Sequence, residues 1–429
     1  MDEKLHIVVS SFSDCREKNG IVTFMDILRR NAGGFGDRGF RLAFANYVDF
    51  PSRPPARPGP VRADAPTPPA PPGAATASAP GRIRRTMLAV KYWIKGQLAK
   101  RPLLAFLLMT ATLSRRGLVT TLKARLRAGP GSVHFHQDAF CAYFGQWILH
   151  RSSRRILLLH SGNDSLRQVF IHFHGMRGTR YEACVREAFR RTLAGLDGIV
   201  TLNERYADTL RAQFPHIDVR CIYNTSPFTG EDADRHRTAR PAQEAPGRRI
   251  EILAVGSLQP IKGFDLLVGA AAGLPDADRD RLHVTIVGGG PARPALQAAV
   301  DAAGLREVIT LNGESDHVAS FLGRADAYIL TSRDEGFPIA LIEASGFGLP
   351  IVATRVGAIP EVYDEASCLF MEPTVDSIRE ALAAIARGGV DLDELARRSR
   401  AVFDAKLSLD AFMKAYCELF DQVGRRHAR

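Results

Sequence analysis

Short apolar runs rich in Val, Ile and Leu recur along the chain, separated by longer stretches with helical spacing of apolar positions. Leu5–Val9, Ser132–Phe135, Ile156–His160, Gly198–Thr201, Ala327–Leu330 and Ile351–Thr354 are apolar across both faces, as strands of a parallel sheet covered by helices must be. Between them the pattern predicts helices over about Ile21–Asn31, Tyr181–Ala194 and Asp410–Val423. Strand, turn, helix, strand is the βαβ unit, so the chain is expected to be α/β and to bind ligands beyond the carboxyl ends of its strands. With 429 residues it exceeds what one core usually supports, which predicts two such domains.

One βαβ unit carries candidate chemistry. Between the strands Ala327–Leu330 and Ile351–Thr354 lie Glu335-Gly336-Phe337-Pro338 and, eight residues after the first acid, Glu343. Pro338 suits a helix start, where a missing N–H costs nothing. Glu335 then precedes the helix and Glu343 sits more than a turn inside it. That spacing lets one carboxylate meet a sugar and the other a ribose, with a diphosphate between them at the helix N-terminus. The plain alternative is that Glu335 complements the helix dipole and Glu343 is a solvated helix residue. Against that, Glu343 is flanked by Ala340, Leu341, Ile342 and Ala344, where an unpaired carboxylate would be costly.

The stretch Glu335 to Glu343 resembles the E-x7-E signature of retaining family 4 glycosyltransferases, which have the GT-B fold. Three further blocks match in order: Val255-Gly256-Ser257 through Lys262-Gly263 to Leu266-Leu267, then Val284–Pro291, then Thr354–Val362 with Pro360-Glu361. The resemblance covers about residues 250–375 well and the N-terminal half in outline. It implies two Rossmann-like domains facing across a cleft. It also implies that Glu335 lies near the donor sugar and Glu343 binds the ribose. The family's usual Arg is Ser257 here, so Lys262 would carry more of the diphosphate charge, helped by the backbone around Gly336, Phe337 and Pro338. The turn Asp364–Cys368 departs from the family pattern as well. His160, at a strand end, resembles the N-domain His that lines the sugar site. The loop Asn19-Gly20 matches the glycine-bearing loop that approaches the donor phosphates, although by itself it reads equally as an ordinary turn.

On this reading residues 1–228 form the acceptor-side domain, 229–249 a polar linker, 250–405 the nucleotide-sugar domain, and 406–429 a helix returning to the N-domain. Residues 51–81, rich in Pro, Ala, Gly and Ser, are expected to be an exposed insertion. His134 and His136 alternate with Val133 and Phe135, and one of them is expected to face the cleft. No metal is expected: the D-x-D triplets at Asp232, Asp276 and Asp391 lie in polar helix or loop sequence, and no C-x-x-C pair occurs. Six scattered cysteines and a start without a signal peptide's apolar core suggest reduced thiols in the cytoplasm.

Charge changes the picture in one place. Residues 82–127 hold twelve Lys and Arg and no Asp or Glu; the chain's formal net charge is +11, so the remainder sums to −1. Met87, Val90, Ile94 and Leu98 share a helical face beside Lys91 and Lys95. The apolar run Pro102–Leu113 reads as too short to span a bilayer. An anionic membrane surface suits this segment. A solvated basic face is the plain alternative, and nucleic acid a rival partner for which no recognised motif appears.

The resulting expectation is a retaining transferase that moves a hexose from a UDP- or GDP-linked donor to a saccharide or lipid-linked acceptor. It would need no cofactor and would sit peripherally on the inner face of the cell membrane, in surface polysaccharide or glycolipid assembly. A nucleotide-sugar epimerase of the same fold, or a non-catalytic basic protein binding membrane or nucleic acid, are the alternatives. A nicotinamide enzyme is disfavoured because Gly288-Gly289-Gly290-Pro291 lacks the third glycine in register.

Overall fold

The computed structural model describes residues 4–14, 20–48, 100–160, 164, 166–228, 230–236 and 248–425. Two six-stranded parallel sheets organise them. The first is built from β1 (Leu5–Asp14), β2 (Phe40–Val48), β3 (Val133–His136), β4 (Arg154–Leu159), β5 (Gly198–Thr201) and β6 (Asp218–Cys221), in the order β2-β1-β3-β4-β5-β6. The second contains β7 (Ile250–Val255), β8 (Leu282–Val287), β9 (Ile309–Gly313), β10 (Ala327–Leu330), β11 (Ile351–Thr354) and β12 (Leu369–Met371), in the order β12-β11-β10-β7-β8-β9. The chain reverses direction across the sheet between β1 and β3, and again between β7 and β10. Those are the topological switch points where open α/β sheets bind ligands. Strand burial follows composition: β3, β5, β10 and β11 are buried throughout.

The helices that matter for the site are α1 (Gly20–Arg30), α2 (Pro102–Arg127), α3 (Ala139–Ile148), α4 (Arg180–Ala194), α5 (Glu204–Gln213), α6 (Ile339–Gly346) and α7 (Leu409–Arg425). Side-chain caps start three of them: Asp138 accepts from Cys141 N at 2.7 Å, Thr179 from Tyr181 N at 3.3 Å and Asn203 from Tyr206 N at 2.8 Å. In α7 the apolar stripe Phe412, Tyr416, Phe420, Val423 is fully or almost fully buried. Phe412 and Tyr416 meet Phe24 of α1, and Phe420 meets Phe35, Phe40 and Phe135. The last helix thus packs on the first sheet. Each such aromatic contributes about 1.5–3 kcal/mol of burial.

Three expectations change. The segment read as a polar linker contains the helix Gly230–His236, with Asp232 and Ala233 buried. Its acidic first turn suits a helix N-terminus, and its main chain closes on Gly323, where a Cβ would collide with the His236 carbonyl. The run Pro102–Leu113 is part of one helical stretch of 26 residues, α2, which by length and composition alone would suffice to cross a membrane. It is continuous because a π-helical turn, Thr110–Ser114, joins two α-helical halves. One face of α2 is nevertheless sealed by protein: Thr120, Thr121 and Ala124 are buried, and Lys123 donates to the Asn46 carbonyl at 2.9 Å. The insertion 51–81 and the basic residues 82–99, including Lys91, Lys95 and Trp93, lie outside the described residues.

The third concerns His134 and His136. Two residues apart on β3, they point to the same face, stack with ring centroids 6.2 Å apart, and are buried away from the cleft. His136 Nδ1 lies 2.8 Å from Ser10 Oγ. Burial lowers the His134 pKa to about 4 and pushes His136 well down too. A histidine held neutral in this way supports the fold fully above its free value near 6.5, and that support is lost as pH falls toward 4. The first domain is therefore expected to unfold in acid across that window. His134→Gln should flatten the stability profile between pH 6.5 and 4, as followed by denaturant melts; an unchanged profile would show that the ring titrates freely.

Candidate functional site

A cavity of about 640 Å3 opens between the two sheets, within the range of small-molecule sites. The first domain contributes Ile21 and Thr23 of α1, His160 after β4, Leu202 after β5 and Asn224. The second contributes the segments after β7, β8, β9 and β10. Ser257 and Lys262 follow β7 and Glu335 follows β10, so the polar groups converge on the second sheet's switch point.

The loop after β7 is fixed first. Gly263 adopts φ 65°, and a Cβ there would run into the Thr331 carbonyl, so only glycine lets the two loops touch. Thr331 Oγ1 donates to the Lys262 carbonyl at 3.1 Å, and Arg333 holds Asp265 at 2.6 Å. These bonds deliver Lys262 Nζ to Glu335 Oε1 at 2.6 Å, where Ser332 Oγ also lies 2.6 Å away. The two residues given separate roles by sequence, Lys262 with the diphosphate and Glu335 with the sugar, are thus an ion pair. Oε2 of Glu335 has no partner among the described residues.

Pro338 stands at the N-cap of α6 rather than within its first turn, with Ile339 as the first helical residue. Gly336, Phe337 and Pro338 all line the cavity, as does Ser257, which is exposed to it. Phe337 is anchored from the other domain: Asn224 Nδ2 donates to its carbonyl at 3.2 Å, and Tyr223 packs on its ring at 5.3 Å. Glu343 is 8 % exposed, and its carboxyl has no hydrogen-bond or ion-pair partner among the described residues. Burial raises its pKa to about 8, so the carboxyl is largely protonated at neutral pH. Lys262 is the only Lys or Arg among the described residues lining the cavity, against Glu314, Glu335 and Glu343.

His160 lines the cavity with Nε2 2.9 Å from Gln137 Oε1, and burial lowers its pKa to about 4. A ring neutral at pH 7 can position a hydroxyl but is poorly suited to donate a proton. Its carbonyl meets Gly336 so closely that a Cβ there would sit 2.5 Å from the oxygen. Gly20 begins α1, two further residues of which reach the cavity, while Asn19 lies outside the described residues.

Sequence reasoning missed several partners. Ser332, three residues before Glu335, and Gln137, one residue past β3, are legible in the chain only as polar residues in loops. Glu361 falls within a matched motif that by itself assigns it no role. Its carboxylate accepts from Glu204 N at 2.6 Å and Arg205 N at 3.3 Å, capping α5 across the cleft. The nonstandard turn after it is closed by Asp364, whose Oδ1 accepts from Ser367 N at 3.0 Å. The D-x-D triplets have structural partners: Asp232 pairs with Arg235, Asp278 with Arg387, and Asp391 caps Glu394 N. Among the described residues no group of three or more His, Cys, Asp or Glu is arranged to hold a metal.

Residues 236–401 match the family model of glycosyl transferases group 1. Over 316 residues the chain is 26 % identical to the alpha-D-kanosaminyltransferase of Streptomyces kanamyceticus, an alignment covering 70 % of this chain and 80 % of that one. It is also 26 % identical over 287 residues to WcaL of Escherichia coli, a putative colanic acid biosynthesis glycosyltransferase, covering 62 % of this chain and 66 % of that one. Anabaena HepE, solved in complex with UDP, superimposes with a TM-score of 0.63 at 12 % identity, covering 98 % of this chain and all of the other. That likeness shows the GT-B fold.

Proposed function

We propose that this chain is a group 1 glycosyltransferase that moves a hexose from a nucleoside-diphosphate donor to an acceptor hydroxyl with retention at the anomeric carbon. One observation carries the reading: Lys262, Glu335, Glu343 and the N-terminus of α6 surround one cavity at a switch point of the second sheet. That HepE was solved with UDP supports a nucleotide there. The α6 N-terminus and Lys262 would take the diphosphate, and Glu343 the ribose hydroxyls. The unpartnered Oε2 of Glu335 would orient the sugar.

In the transfer, the bond from the anomeric carbon to the phosphate oxygen breaks and the acceptor oxygen bonds to the same face. The acceptor's proton passes to the departing phosphate oxygen. Lys262 and the α6 amides stabilise charge that grows on the diphosphate, an electrostatic role of the oxyanion-hole kind. No side chain in the cavity needs to act as a covalent nucleophile, and His160 with Gln137 would hold the incoming hydroxyl.

The acceptor we infer is lipid-linked, presented at an anionic membrane. Among the described residues, five of the seven exposed large apolar side chains are leucines on one helix, α2: Leu103, Leu107, Leu118, Leu122 and Leu126. With its other face sealed by protein, α2 suits lying on a membrane rather than crossing it. Leu107→Asp with Leu122→Asp should release the protein from phosphatidylglycerol vesicles while nucleotide binding persists, and wild-type binding should weaken as salt rises.

A screen of UDP- and GDP-sugars by thermal shift, then proton NMR of the product's anomeric coupling, tests the function. Retained configuration in the presence of EDTA is expected. Inversion would overturn the retaining assignment, and epimerised donor without acceptor would favour the epimerase.

A further inference from the structure

A second cavity, of about 330 Å3, lies in the first domain between α2, α3 and α4. Its walls are overwhelmingly apolar, with Phe106, Met109, Phe140, Tyr143, Phe144 and Phe189 prominent. Leu166, another lining residue, lies six positions after His160, which lines the donor cavity. The wall from α3 also starts at a sheet edge: Ala139 and Phe140 come just after β3, at its carboxyl end. Both cavities thus have walls that start at the carboxyl ends of the neighbouring strands β3 and β4, on the first domain's side of the cleft.

Two further features mark this place. Phe106, Met109, Thr110 and Ser114 belong to α2, the helix whose outer face carries the exposed leucines, and Trp147 on neighbouring α3 is 60 % exposed. Ser114 is followed directly by Arg115 and Arg116, both exposed, and no Asp or Glu occurs from residue 65 to residue 137. An apolar slot on a helix whose next two residues are exposed arginines, in a stretch without Asp or Glu, complements an amphiphile with a phosphate head and a hydrocarbon tail.

We propose that this cavity seats the hydrocarbon chain of a phosphate-linked lipid acceptor, with Arg115 and Arg116 meeting its phosphate. The proposal rests on the transferase reading above and names its acceptor class. Catalysis at the donor cavity would then act on the sugar or hydroxyl at the head of a lipid whose first isoprenoid or alkyl units lie beneath α2. Binding energy from the chain, remote from the reacting atoms, would hold the head in position for transfer.

Cys184 on α4 supplies the reporter, since it lines this cavity and is exposed. The full-length protein is treated with N-ethylmaleimide, and modification of Cys184 is followed by peptide mass spectrometry. Farnesyl diphosphate at ten times its dissociation constant should slow the reaction about tenfold, in proportion to occupancy. Inorganic diphosphate should leave the rate unchanged, and Arg115→Gln with Arg116→Gln should raise the farnesyl diphosphate concentration needed. Thr110→Trp fills the cavity from the α2 wall and should abolish protection, with unchanged binding of the nucleotide by calorimetry showing that the fold is intact.

No protection of the wild type by farnesyl diphosphate would overturn the proposal, as would equal protection by inorganic diphosphate or full protection in Thr110→Trp. Equal protection by phosphatidylglycerol vesicles would assign the slot to bulk lipid instead. A dimer by light scattering, with Cys184 already shielded, would make the slot a contact between copies. Protection in a protein that binds no nucleotide sugar would leave the lipid site standing and sink the transferase reading, so the two can fail separately.

Discussion

Replacing Lys262 with alanine is expected to lower turnover by about 10²- to 10³-fold, the scale of removing one preorganised charge partner of the transition state. The loss should be this large because no other Lys or Arg among the described residues lines the donor cavity. Ser257 stands where the family's arginine usually does, and Arg333 nearby is committed to Asp265. Glu335→Ala should cost a similar factor for a different reason, since on the proposed reading Glu335 would orient the sugar, and it also holds the Lys262 ammonium. Because Lys262 Nζ and Glu335 Oε1 are bonded at 2.6 Å, the double variant should lose little more than the worse single one. Additive losses would show that the residues act independently. Near-normal kinetics in both single variants, with unaltered circular dichroism, would remove them from the site.

Glu343→Gln is expected to stabilise the protein and weaken it as a nucleotide binder. The carboxyl's pKa is about 8 when folded, against an ordinary value of 4.5. Between those values the unfolded chain has released a proton that the folded chain keeps, so stability falls as pH rises through the window. Removing the carboxyl should return on the order of 1–3 kcal/mol at pH 7, since a tenfold change in proton affinity is worth about 1.4 kcal/mol. That corresponds to a melting point higher by roughly 2–4 °C per kcal/mol. At pH 8.5, where the wild-type carboxyl is mostly ionised, nucleotide affinity should drop roughly ten- to hundredfold, the worth of hydrogen bonds to a charged group. Affinity of the wild type should rise toward pH 8 as the carboxylate becomes available to ribose hydroxyls. Calorimetry and melting curves from pH 5 to 8.5 test both halves. A destabilised Glu343→Gln variant with unchanged affinity would make the residue structural.

The second sheet was readable from the chain because its strands are buried on both faces. Ala327–Leu330 and Ile351–Thr354 are strands with the expected bounds, and Glu343 proved as enclosed as its apolar neighbours implied. What could not be read was pairing at a distance. Nothing in the sequence joins Lys262 to Glu335, 73 residues away, or Gln137 to His160. The expectation that His134 or His136 faces the cleft misjudged the strand. Alternation tells which residues share a face, but both faces of β3 are covered, so neither side offers solvent. The continuity of α2 was hidden because polar Thr110, Thr112 and Ser114 interrupt the apolar pattern. In the helix Thr110 and Thr112 turn their hydroxyls back to the carbonyls of Phe106 and Leu108, at 2.9 and 2.7 Å.

The seam where the two domains meet near the loop before α6 joins main chain at three points, beside the side-chain contacts of Tyr223 and Asn224 with Phe337. Glu361 grips the amides of Glu204 and Arg205, and Gly336 rests on the carbonyl of His160. On the first domain's side, those contacts would survive almost any substitution that preserves the helix start and the strand end. Such main-chain contacts leave the first domain's side chains at those three points free to vary. They also give a rule for building chimeras. A foreign first domain should dock productively if it presents two free amides and one carbonyl at these positions and keeps the Tyr223 and Asn224 side chains that hold Phe337.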